Sequence, residues 1–146
     1  MQRFFEFIGN HPFLASAAVA AVAAVAFYEI RERLQAFAAL SAMQAVRLMN
    51  QGALILDLRS KELYDAGHIS DARNVPAADL ASQADTFKKW RDKNVITYCD
   101  SGVSGANGAR TLLKLGFTKV FNLQGGLNAW IKDNLPVTKT TSKGGK

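Results

Sequence analysis

The chain has 146 residues with 49% apolar content, one cysteine, two histidines and a formal charge of +6. That length holds one ordinary domain and a short accessory segment, and a lone cysteine excludes an internal disulfide and any cysteine-clustered zinc or iron–sulfur site. The charge does not point to nucleic acid: Lys139, Lys143 and Lys146 fall in a polar tail, Arg31, Arg33 and Arg47 flank an apolar segment, and no basic stripe is interleaved with aromatics.

Residues 1–11 read as a short amino-terminal tail. From Pro12 to Ile30 the chain is nearly all apolar, broken only by Ser16 and Glu29; as a helix this run is about 27 Å long, enough to span a bilayer once. Pro12 suits a first helical turn, and Phe4, Phe5, Phe7, Phe13, Phe27 and Tyr28 suit interfacial belts. A cleaved signal peptide ending at Ala24-Val25-Ala26 is a competing reading. Against it stand a long leading segment with Arg3 opposed by Glu6, and a helical pattern that continues through Glu29 to Leu34. A core helix would have to be covered on all sides in a small domain, and an amphipathic surface helix lacks a polar face. Arg31, Arg33 and Arg47 after the span, against Arg3 before it, favour a cytoplasmic carboxy-terminal domain.

Residues 31–40 continue as a helical linker. Ser41-Ala42-Met43-Gln44 has the form of a capping box that opens a helix to Asn50, and the globular domain, 41–135, starts there. Ala53 to Leu56 is a continuous apolar run, as expected of a strand covered on both faces, and Asp57-Leu58-Arg59 closes it. Ser60 is placed to cap a short helix through Ala66, with Gly67 just beyond its end. His68 to Pro76 reads as a turn, a short strand and a stop. Ala77 to Trp90 is helical with an interruption near Asp85-Thr86, and Val95 to Tyr98 is a strand. Ala106 to Leu115 is the next helix, ended by Gly116, followed by a strand at Lys119 to Asn122. Gly125-Gly126 turns into a helix at Leu127 to Asp133, and 136–146 is a polar basic tail. Strands alternating with helices predict an α/β domain, a parallel sheet with helices on both faces. Binding sites in such sheets lie beyond the carboxyl ends of the strands.

Cys99 is at such an end, followed by Asp100-Ser101-Gly102-Val103-Ser104-Gly105. In a strand, loop and helix arrangement the loop amides and the free N–H groups of the helix point at the sulfur. A thiolate held there is a nucleophile with a lowered pKa; the competing reading is a small buried core cysteine. A reactive thiol also favours a reducing compartment. Asp100 opposes thiolate formation if its side chain faces the loop, and alternation along the chain directs it outward. Asp57 and Arg59 read either as catalytic acid and substrate cation or as a structural pair that ties down neighbouring turns. His68 reads as a general base or as a turn-holding residue. Cysteine phosphatase chemistry requires an arginine where Gly105 stands and is excluded.

Three motifs taken together resemble the rhodanese-like (sulfurtransferase) family. Leu56-Asp57-Leu58-Arg59, with Tyr64 to Ile69 and Ala72 to Pro76, is similar to its amino-terminal signature. Tyr98 to Val103, continued by Ala109-Arg110 and Gly116-Phe117, is similar to its active-site loop and helix, and Val120 to Trp130 to its carboxy-terminal signature. The resemblance covers about 41–135 and implies a doubly wound parallel sheet. With the apolar span, the whole chain resembles the small membrane-anchored members of that family in Gram-negative inner membranes.

The resemblance implies that Cys99 takes sulfane sulfur from a small donor as a persulfide and passes it to cyanide, a thiol or a protein acceptor. No cofactor and no metal are expected. Asp57, Arg59 and His68 are implied as structural support, and Asp100 to Gly105 as the loop that binds the persulfide. Many members of the family carry an arginine five residues after the cysteine to pair with an anionic donor; this chain has Ser104 there. The alternative is a rhodanese-fold adaptor at the inner membrane that docks other membrane proteins or a soluble partner, with little or no catalysis.

Overall fold

The computed structural model describes residues 12–37 and 39–140, which fall into two units divided after Phe37. The expected tail at 1–11, with Phe4, Phe5 and Phe7, and the chain end at 141–146 lie outside the described residues. The first unit contains helix α1 (Pro12–Phe37). Its stretch Phe13–Ile30 is long and apolar enough to cross a membrane. Ser16 donates its hydroxyl to the Phe13 carbonyl at 3.0 Å, which satisfies the group within the helix.

In the second unit five strands form a parallel sheet: β1 (Ala39–Leu40), β2 (Leu54–Asp57), β4 (Arg73–Asn74), β5 (Asn94–Tyr98) and β6 (Lys119–Leu123), in the order β1-β6-β5-β2-β4. Helices α2 (Ala42–Asn50), α3 (Lys61–Ala66), α4 (Leu80–Gln83), α5 (Val103–Lys114) and α6 (Gly126–Lys132) connect them. Side chains alternate across the strands into two cores. Leu54, Leu56, Val95 and Val120 pack with Leu80, Phe87, Ala109 and Leu112. Ile55, Ile96 and Leu123 pack with Ala42, Ala45, Leu127 and Trp130. Coverage on both faces is why β2 is a run of apolar residues rather than an alternating one, and it confirms the doubly wound α/β expectation.

The capping box forms as expected, with the Ser41 hydroxyl and the Gln44 side chain each bonding the other's backbone N–H. Several boundaries differ from the sequence reading. The helical linker expected at 31–40 stops at Phe37, and Ala39–Leu40 pair instead with Asn122 and Leu123 of β6. The tail expected from 136 carries a further strand, β7 (Val137–Thr138), antiparallel to β3 (His68–Ile69). The helix expected over 77–90 is a short α4 followed by a 3-10 helix, Ala84–Trp90. Ala84, Phe87 and Trp90 all face the core, and a spacing of three lines up on a 3-10 helix but drifts on an α-helix. Ser60 makes no side-chain cap, and Gly67 is extended rather than left-handed. Helix α5 starts at Val103, three residues earlier than expected, because Gly102, at φ +94, turns the chain directly into it.

Candidate active site

β5 is the middle strand of the sheet, and Cys99 follows its last residue. Beyond it the chain turns sharply, and the Gly102 amide donates to Cys99 Sγ at 3.1 Å. The carbonyls of the loop are drawn the other way. Cys99 O accepts from the Leu127 amide at 2.8 Å, and Asp100 O from the Asn128 amide at 3.1 Å. Gly102 O accepts from the Ala106 amide and from Asn122 Nδ2, both at 3.0 Å. The amides of Val103, Ser104 and Gly105 precede this first helical bond and have no partner within α5. A loop whose carbonyls are tied back and whose Gly102 amide donates to the sulfur is suited to an anion there.

Close backbone packing fixes that arrangement. A Cβ on Gly126 would collide with the carbonyl oxygens of Cys99 and Asp100, and one on Gly105 would collide with Asn122 Oδ1. Gly105 O accepts from the Thr97 hydroxyl at 2.9 Å, which anchors the start of α5 to β5.

Cys99 is nearly buried and lies on the wall of an open cavity of about 230 Å³ lined by Leu58, Arg59, Leu63, Asp100, Ser101 and Ser104. Of the loop residues expected at the site, Asp100, Ser101 and Ser104 line this cavity, while Gly102 reaches the sulfur through its amide. Val103 is exposed on the wall of a neighbouring cavity, and Gly105 is buried beneath the helix.

Asp57 is fully buried and holds Arg59: Nε and Nη2 reach its carboxylate at 2.9 and 2.6 Å. Arg59 Nη2 also donates to Gly67 O at 2.7 Å, tying down the turn after α3. Burial lowers the guanidinium pKa, but Asp57 and then Asp100 more than compensate and hold it above its ordinary value. These contacts are the ones a structural pair requires, and Arg59 also lines the cavity beside Cys99. His68 Nδ1 donates to Tyr64 O at 2.8 Å and the imidazole stacks on the Tyr64 ring with centroids 3.8 Å apart; it is not among the residues lining the Cys99 cavity.

The Asp100 side chain is half-exposed at the wall of the cavity. Its Oδ1 accepts from Arg59 Nη1 at 3.2 Å. Sequence reading also missed Leu63, whose exposed position on α3 gave no sign of the site, and Asn122, whose role depends on a loop twenty residues earlier. No cluster of His, Cys, Asp and Glu suited to a metal occurs among the described residues.

The model of the rhodanese-like domain matches residues 41–133. The chain belongs to the rhodanese-like family. It is 32% identical to YibN of Escherichia coli K12 over 95% of this chain and 99% of that protein. Thiosulfate sulfurtransferase GlpE of Pseudomonas fluorescens is 38% identical over 59% of this chain and 77% of its own. Among solved structures, the BH2092 protein of Bacillus halodurans is similar at a TM-score of 0.63 and 27% identity, covering 79% of this chain and 85% of that one. The rhodanese-like fold therefore carries Cys99 and its loop, and sulfurtransferases are among the relatives.

Proposed function

We propose that the protein is a membrane-anchored sulfurtransferase in which Cys99 carries sulfane sulfur as a persulfide. The observation that carries this reading is the Gly102 amide on Cys99 Sγ, at the wall of an open cavity. In the first step the Cys99 thiolate attacks the outer sulfur of a donor. A bond forms from Sγ to that sulfur, the donor's own bond to it breaks, and the electron pair leaves on the donor fragment. The persulfide anion then lies where Sγ lay, one bond further out, within reach of the amides of the α5 terminus, which stabilise it as preorganised dipoles stabilise an oxyanion. In the second step an acceptor thiolate or cyanide attacks the outer sulfur, and Cys99 departs as thiolate. The cycle is redox-neutral and uses no group beyond the loop.

Helix α1 serves as the anchor in this reading, holding domain 41–135 at the cytoplasmic face of a bacterial inner membrane, with Arg31, Arg33 and Arg47 on the inside. A reporter fused after Lys146 tests the orientation and is expected to be cytoplasmic. Sulfur transfer to a small thiol tests the activity: the purified full chain turns over with at least one sulfane donor, and Cys99→Ser does not. A Cys99→Ser protein that still transfers sulfur overturns the assignment.

A further inference from the structure

The guanidinium of Arg59 is the cationic group among the residues that line the Cys99 cavity. Four of its five N–H bonds are engaged: Nε and one Nη2 hydrogen by Asp57, the other Nη2 hydrogen by Gly67 O, and one Nη1 hydrogen by Asp100. The Asp57 contacts are buried, the Gly67 contact is part-buried, and both are short. The Asp100 contact differs from them. It is longer, it uses one oxygen, and the Asp100 side chain is 49% exposed against 5% for Arg59. Two carboxylates on one guanidinium also leave the cluster with an excess negative charge beside the cysteine.

We infer that Asp100 sets donor specificity by occupying the Arg59 edge that would otherwise receive an anion. Resting on the sulfurtransferase reading above, the inference names the donor class: persulfides or polysulfides of low charge, rather than small oxyanion donors such as thiosulfate. An oxyanion approaching Cys99 meets the Asp100 carboxylate where it needs a cation, and it gains both Nη1 hydrogens of Arg59 only by displacing a carboxylate tethered next to the sulfur. A donor without a strong anionic group meets Leu58, Leu63 and the hydroxyls of Ser101 and Ser104, and displaces nothing.

The test uses the full chain in detergent, as wild type, Asp100→Asn and Asp100→Glu. Alkylation of Cys99 by anionic iodoacetate is compared with alkylation by neutral iodoacetamide, so this readout is independent of sulfur transfer. Asp100→Asn is expected to raise the iodoacetate to iodoacetamide rate ratio about tenfold and to gain saturable protection by sodium sulfate that sodium chloride of equal ionic strength does not give. Asp100→Glu restores the wild-type ratio. Loading of Cys99 from thiosulfate then shows a lower KM in Asp100→Asn. An unchanged ratio, or sulfate protection no better than that of chloride, overturns the inference whether or not any variant transfers sulfur. If the ratio and protection shift as stated while no donor loads Cys99 in any variant, the sulfurtransferase reading falls and Asp100's control of anion entry stands.

Discussion

The Leu127 amide donates to the carbonyl of Cys99 at 2.8 Å, so the start of α6 grips the peptide bond that follows the thiol. Gly126, at φ +58, brings that turn close enough to do so, and a Cβ there would overlap the Cys99 and Asp100 carbonyls. Gly126→Ala therefore adds left-handed strain to a backbone collision. The expected cost is about 3 kcal/mol in urea unfolding. Iodoacetamide alkylation of Cys99 should change with it, because the loop amides lose their aim.

Arg59 is bound too specifically for lysine to replace it. Arg59→Lys keeps the charge but loses the paired contacts with Asp57 and the reach to Gly67 O. Asp57, fully buried, is left with a poorly placed partner. The expected loss is about 3 kcal/mol, measured by thermal or urea unfolding. A variant within experimental error of wild type would show that the pair does not hold the turn.

Tyr98 gives the fold an alkaline limit. Burial, and then the nearby Asp57, raise the pKa of its phenol well above the ordinary value of 10.0, and burial raises that of Tyr64 as well. Above pH about 10 the unfolded chain releases these protons and the folded chain keeps them, so the unfolded state binds fewer protons and stability falls as pH rises. Below that pH the contribution is constant. Tyr98→Phe is expected to reduce the slope of unfolding free energy against pH between about 10 and 11.5. At neutral pH it should cost about 1–2 kcal/mol, because the Ile69 amide loses the hydroxyl that accepts it at 3.1 Å.

Features legible in the sequence are those whose cause is local or periodic. The apolar runs of β2 and β5, the capping box at Ser41 and the Gly-Ser loop after Cys99 each declare themselves within a few residues. What was hidden depends on distant partners. Ala39–Leu40 and Val137–Thr138 are strands only because Asn122–Leu123 and His68–Ile69 lie beside them, and two residues are too few to show alternation. The start of α5 was obscured because Gly102 and Gly105 look like loop composition. In the fold the first makes the turn and the second lets the helix pack against Tyr98 and Asn122. The Arg59 to Asp100 bond joins residues 41 apart in the chain, and no pattern around either one announces it.

The central claim is that Cys99 carries sulfur, and the intact mass of the full chain after incubation with a panel of sulfane donors tests it most directly. The expected result is a gain of the mass of one sulfur atom on Cys99, removed by a thiol acceptor and absent in Cys99→Ser. A wild-type chain left unmodified by thiosulfate, a mercaptan donor and a polysulfide alike would contradict it.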